Sequence, residues 1–372
     1  MKIVIFGSYG MLDIGDDAML YCDVNYILNT IGIPLTEIRI ITRNVKATVK
    51  YLQDLGVTES TCILESSEMM EDALDWCDKI LITGGGTINT RGVVASLGRI
   101  YDFVMRCKRH NKKVFLSGQT IGPLGINEDQ NNLARDLIDY CSIVTVRDFK
   151  RSLEYIKLIG ADTKHVYQTV DDAWGLEGSG GITSYKINSM LDGGAVGFNA
   201  NNYALTATKA YVDIAVQVCD TIIKKYDKNV IFIHQGLSLP YLDINVSKQI
   251  YERSKYKDRM LCEDFGSIGC REFKEIISRL DGLLASRYHS LIFAASSGVP
   301  YVGICADFYS WIKQIGFSEE IGMEDCIVKV EDVNVDNILS KVDLNRDFSN
   351  KLGLLDTHKN ESMRLFAEFL NE

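Results

Sequence analysis

The sequence predicts an α/β protein made of two Rossmann-like halves facing each other across a cleft. Three observations predict it. At 372 residues the chain exceeds what one ordinary core accommodates, and two domains of roughly 150 to 200 residues are the natural division. Its first half alternates short apolar runs with longer helical patterns, the signature of parallel strands joined by crossover helices. The composition then turns to Gly and Ser over Glu177 to Ser184, and a second alternation of the same kind begins.

In order, the first half reads as a strand Lys2 to Phe6, a helix Ala18 to Asn29, and strands Glu37 to Thr42 and Lys79 to Thr83. A helix around Leu97 to His110, a strand Lys113 to Ser117, a helix around Asn131 to Tyr140 and a strand Ile143 to Val146 follow. The second half reads as strands Ala195 to Asn199, Val230 to His234, Met260 to Glu263, Leu283 to Ser286 and Tyr301 to Cys305, with a last helix Thr357 to Leu370. The expected domains are 1–178 and 185–372. The C-terminal helix has the option of packing back on the N-terminal domain.

Composition narrows the function classes. A hydrophobic fraction of 46% with 24% charged residues describes a folded globular chain, and a net charge of −10 argues against a nucleic-acid partner, whose phosphates need a basic face. The 10 cysteines are scattered without a C-x-x-C and read as reduced core residues. Met1 to Phe6 is too short for a signal core and is read as a strand. No segment approaches the roughly 20 apolar residues of a membrane span, so a cytoplasmic protein is expected, with any lipid contact peripheral, at the inner face of the membrane.

The residues that carry chemistry lie where strands end. Ser286-Arg287-Tyr288-His289-Ser290 follows one apolar run and precedes another. If the chain stays extended through His289, Arg287 and His289 project to the same side, because strand side chains alternate with a period of two. A permanent cation and a titratable imidazole then share a crevice that favours an anionic ligand. The plainer reading makes Ser290 a helix cap and His289 a half-buried structural histidine.

Other junctions repeat the pattern. Gly7-Ser8-Tyr9-Gly10 and Gly15-Asp16-Asp17 form the first turn, where Asp16 either caps the helix or accepts a proton from a bound hydroxyl. This is not G-x-G-x-x-G, and the second strand ends in Arg43, so no nicotinamide cofactor is expected. Gly84-Gly85-Gly86 reads as a loop thinned for close approach of a ligand. Gln119, in Ser117 to Pro123, offers an amide to a sugar. Arg147 either grips a carboxylate or phosphate or pairs with an acidic neighbour. Asp171 precedes the Gly/Ser stretch, and His234 is a further histidine at a strand end. His110, His165 and His358 read as surface residues. No metal-ligand spacing, P-loop or G-x-S-x-G is present, so neither a structural metal nor a serine nucleophile is expected.

Taken in order, these junctions resemble the polysaccharide pyruvyl transferase family. The residues that carry the resemblance are Gly7 to Gly10 with Gly15-Asp16, Gly84 to Gly86, Gly118 with Gly122-Pro123, and Arg147-Asp148 with Ser152. Asp171 with Ala173-Trp174 and Arg287, His289-Ser290 with Gly298-Val299-Pro300 complete the set. Two departures stand out: Asp172 where proline is expected, and Thr87-Ile88-Asn89 in place of a more apolar continuation. They bear on acceptor identity more than on the reaction.

The resemblance implies a GT-B-like fold and transfer of a pyruvyl group from phosphoenolpyruvate to sugar hydroxyls as a ketal, without a cofactor, in the assembly of capsule or exopolysaccharide. The acceptor it implies is a glycan, on a lipid diphosphate carrier, on the side of domain 1–178, with the donor on the side of 185–372. In that reaction His289 would protonate the donor methylene, since an unperturbed imidazole titrates at about 6.5. Asp16, with Asp171 second, would take the acceptor proton. Arg287 with Ser290, and Arg147, would bind donor anions. Gly84, Gly85, Gly86, Gln119, Asp171 and His234 complete the expected substrate contacts. The alternatives are a nucleotide-sugar glycosyltransferase on the same scaffold and a non-catalytic glycan-binding relative. Acceptor sugar and oligomeric state stay open.

Overall fold

A computed structural model describes every residue except 91–93, 203 and 239–241. The chain divides into two compact units: residues 1–11, 16–174 and 354–372 form the first, and residues 12–15 and 175–353 the second.

The first unit holds an all-parallel sheet of strands β1 (Ile3–Phe6), β2 (Ile38–Thr42), β3 (Cys62–Leu64), β4 (Lys79–Ile82), β5 (Gly85–Ile88), β6 (Lys113–Ile121), β7 (Ile143–Val146) and β8 (Val166–Gln168). Its order is β3-β2-β1-β4-β6-β7-β8, with β5 paired to β6 beyond the end of β4. All four residues of β1, β4 and β7 are buried, as strands covered on both faces require; hence runs such as Ile3-Val4-Ile5-Phe6, apolar without alternation. Phe6 stacks on Phe103 of the helix Val94–Arg109 at 3.9 Å between centroids. Residues 354–372 of the last helix, Ser349–Asn371, close the other face: Phe366 and Phe369 meet Phe115 at 5.3 and 5.6 Å, and Trp174 Nε1 donates to Asp356 at 3.0 Å.

The second unit repeats the design with β9 (Ala195–Asn199), β10 (Asn229–Phe232), β11 (Met260–Leu261), β12 (Gly282–Ala285), β13 (Tyr301–Ile304) and β14 (Ile327–Val328), in the order β11-β10-β9-β12-β13-β14. The strand order reverses between β9 and β12, whose last residues, Asn199 and Ala285, lie opposite each other. In an open parallel sheet the carboxyl ends at such a reversal form the ligand crevice. β1 and β4 stand in the same relation in the first sheet.

Two sequence expectations change, and three short strands join those expected. Gly85 and Gly86 lie in a strand and not in a loop, because the backbone after β4 finds hydrogen-bond partners along the long β6. The short strands β3, β8 and β14, of three, three and two residues, had too little length to show a pattern. The Gly/Ser stretch 177–184 is tied to the second unit and is not a loose tether: Gly180 N and Thr183 N donate to Glu275 and Glu272.

Candidate active site

The reversal in the second sheet is where Arg287 and His289 sit. β12 ends at Ala285, Arg287 takes the N-cap position with extended backbone, and the helix Tyr288–Ala295 starts at once. His289 is therefore helical, which corrects the period-two argument: what keeps the two side chains at one site is their place on either side of a helix start. Ser290 is not the cap. Its N–H and hydroxyl both donate to Gln235 Oε1, at 3.1 and 3.0 Å.

One buried carboxylate organises the ends of three strands. Asp243, whose side chain is 0% exposed, accepts from Arg287 Nη2 at 2.7 Å and from Nε at 3.2 Å. It also accepts from the backbone of Gln235 and Gly236, which follow β10, and from the Asn199 amide at the end of β9. Asn199 Oδ1 in turn accepts from Arg287 N at 3.0 Å. A buried charge is tolerable only when paired and hydrogen-bonded in this way.

Residues 12–15 cover this cluster. Asp13 pairs with Gly236 as an isolated bridge, Ile14 N donates to Gln235 O, and Leu237 N donates to Leu12 O. Asp13 Oδ1 accepts from Gly15 N and Gln235 Nε2, both at 2.9 Å, while Oδ2 faces Arg287 Nη1 at 3.5 Å. The Asp13 carboxylate also lies within 4.8 Å of a His289 ring nitrogen. The imidazole, 7% exposed, packs so closely on the backbone that a Cβ at Gly15 would fall 2.0 Å from Nδ1.

His234, expected as a substrate contact, is buried, with the Asp243 charge among its electrostatic neighbours. It is 1% exposed against Phe265, and burial pushes its imidazole down to about 4, so it is neutral near pH 7. Its neighbour Gln235 bridges Asp13 and Ser290.

In the first unit the expected residues meet one another. Arg147 Nη1 pairs with Asp171, with side chains 2% and 0% exposed, and Nε donates to Thr120 Oγ1 at 2.9 Å. Asp171 also accepts from Ala173 N. Both were expected as substrate contacts, and here each neutralises the other out of solvent. Gln119 Nε2 donates to the carbonyls of Thr83 and Ser117, which ties down β6. Asp16 lies in the first turn of the helix Ile14–Tyr26, where a negative charge is favoured by the helix dipole.

Gly84, after β4, and Gly118, in β6, lie against Asp172. Its carboxylate accepts from Gly84 N at 2.9 Å and from Ser117 Oγ at 2.7 Å. A Cβ at Gly84 would lie 2.9 Å from Asp172 Oδ2, and one at Gly118, where φ is +48°, would lie 3.0 Å from either carboxylate oxygen. Gly84 and Gly118 thus make room for a side chain of this chain; at Gly84 the sequence suggested room for a ligand. Gly85 has φ of +153°, and Gly86 O accepts from Asn89 Nδ2. Burial raises Asp172 to about 6, and burial with Asp172 and Asp171 nearby raises Asp23 well above the usual carboxylate range.

The sequence model of the polysaccharide pyruvyl transferase family matches residues 3–304. The chain belongs to that family. No curated protein matches the sequence of this pyruvyltransferase. Its fold is similar to solved structures over nearly the whole length. Anabaena Alr3699/HepE, in complex with UDP and glucose, superposes with a TM-score of 0.62 at 11% identity, covering 100% of both chains. Methanocaldococcus jannaschii UDP-GlcNAc 2-epimerase gives 0.61 at 14% identity over 98% of this chain and 99% of that one. S. aureus MnaA, with UDP, gives 0.62 at 12% over 96% and 91%. At these identities the likeness establishes the GT-B-like fold class of the pyruvyltransferase. Among the described residues, no helix is long and apolar enough to cross a membrane.

Proposed function

We propose that this pyruvyltransferase takes its pyruvyl group from phosphoenolpyruvate and places it as a ketal on two hydroxyls of a sugar in a polysaccharide precursor. The observation that carries this reading is Arg287 and His289 together at the reversal of the second sheet, a fixed cation beside a proton donor. The donor has a phosphate and a carboxylate for the cation to hold, and a methylene carbon that must gain a proton before C2 becomes electrophilic.

In the proposed sequence His289 gives a proton to the methylene, turning it into a methyl group as positive charge develops at C2. One sugar hydroxyl adds to C2 and loses its proton to a carboxylate. Asp16 is retained for that role, since Asp171 is engaged with Arg147. The C2–O bond to phosphate then breaks, inorganic phosphate leaves, and the second hydroxyl closes the ketal with loss of its proton. Fixed cations can neutralise the leaving phosphate, so the reading includes no metal and no cofactor. A precursor on a lipid diphosphate carrier would bring the protein to the inner membrane face as a peripheral partner.

The test is incubation with phosphoenolpyruvate and glycan acceptors bearing galactose or N-acetylmannosamine, with phosphate release followed in solution and the acceptor examined by mass spectrometry. Phosphate release matched by a pyruvylated acceptor supports the reading. Thermal stabilisation by nucleoside diphosphates, with none by phosphoenolpyruvate, would replace it with a nucleotide-sugar transferase.

A further inference from the structure

Arg287 stands between two carboxylates that differ in every physical respect. Asp243 is fully buried, touches two guanidinium nitrogens, and is held by two backbone N–H groups and an amide. Asp13 is 22% exposed at its side chain and approaches Nη1 only to 3.5 Å, beyond hydrogen-bond length. Moving Asp243 would strip several polar groups of their partners inside the protein. Moving Asp13 costs two hydrogen bonds, from Gly15 N and Gln235 Nε2.

The charges make the difference consequential. One guanidinium faces two carboxylates, so the arrangement already carries surplus negative charge before an anion arrives. An anionic donor meeting Arg287 must therefore compete with Asp13 and rely on Asp243 to keep the guanidinium aimed. We propose that Asp243 is the positioning residue that fixes Arg287 for the donor, and that Asp13 is an exchangeable counter-charge which the donor's anionic group displaces. This rests on the reading of phosphoenolpyruvate as donor. It gives residues 12–15 a part in setting donor affinity, and it assigns two acidic residues that no sequence motif singled out.

The experiment is calorimetric titration of the full-length protein and of Asp243→Asn and Asp13→Asn with phosphoenolpyruvate, with steady-state kinetics and a thermal melt for each. Asp243→Asn is expected to weaken donor binding by about tenfold or more, raising KM for the donor and leaving KM for the acceptor unchanged. Asp13→Asn keeps an oxygen for Gly15 and Gln235 while dropping the charge, and is expected to tighten donor binding by about threefold. Opposite signs from two acid-to-amide changes around one arginine are not what a general loss of structure produces. Asp13→Asn that binds the donor equally or more weakly overturns the proposal. So does a folded Asp243→Asn with unchanged donor affinity; if that variant fails to fold, the sign of the Asp13→Asn effect decides alone. A wild-type protein that turns over nothing and binds no phosphoenolpyruvate overturns the donor reading itself, and this inference with it.

Discussion

The His289 imidazole lies against the backbone of Gly15, so that even a methyl group at position 15 would come within 2.0 Å of Nδ1 and 2.4 Å of Cγ. Gly15→Ala must displace the ring that is assigned the proton transfer. Displacement of a catalytic group by about 1 Å costs on the order of a hundredfold in rate. The variant is expected to lose about that much kcat and to be destabilised by about 1 to 3 kcal/mol while staying folded, checked by phosphate release and circular dichroism. A fully active Gly15→Ala would show that the imidazole's position does not matter.

The Arg147–Asp171 pair predicts a stability effect. Removing one partner leaves an uncompensated buried charge, so Asp171→Asn is expected to cost about 3 to 5 kcal/mol in urea unfolding. Replacing both, as Arg147→Met with Asp171→Leu, should cost clearly less than the two single changes summed. If Arg147 mainly served a ligand, Asp171→Asn would alter activity and leave unfolding unchanged.

Room for Asp172 is the reason for glycine at 118. Gly118→Ala puts a Cβ 3.0 Å from the carboxylate at a φ of +48°, and should destabilise by about 1 to 3 kcal/mol. Adding Asp172→Ala should recover the steric part of that loss and leave the backbone part. Equal destabilisation with and without Asp172, measured by denaturant unfolding, would mean that the carboxylate is not what the glycine accommodates.

Two buried groups give opposite pH dependence. Asp172 ionises near 6 in the folded protein and near 3.8 when unfolded, so the folded state holds the extra proton and stability from this group falls as pH rises from about 4 to about 6. His234 ionises near 4 folded and near 6.5 unfolded, so the unfolded state holds the extra proton and stability is lost as pH falls from about 6.5 to about 4. Asp172→Asn should therefore steepen the acid-side loss of stability, and His234→Phe should flatten or reverse it. Melting temperatures between pH 4 and 7 that change in the same direction for both variants would contradict these assignments.

The fold was legible because its signals are local. Strands such as Ile143–Val146 and Ala195–Asn199 are apolar on both faces and stand out at their full length. The positions of the site at strand ends were legible for the same reason. What was not legible is pairing at a distance. Asp243 meets Arg287 across 44 residues, and Arg147 meets Asp171 across 24, and nothing in either segment names its partner. Gly84 misled for a related reason: glycine reports that something approaches the backbone, and not whether it is a ligand or Asp172. Gln235 was missed although it adjoins His234, because a neutral amide carries no titratable group to mark it out.

The most direct test of the central claim is phosphate release from phosphoenolpyruvate by the wild-type protein and by His289→Ala, in the presence of a competent glycan acceptor. General acid catalysis is worth about a hundred- to ten-thousandfold. Acceptor-dependent release by the wild type, reduced by at least the lower of those factors in a His289→Ala protein that melts at the same temperature, is the expected result. Turnover by the folded variant at the wild-type rate would contradict it.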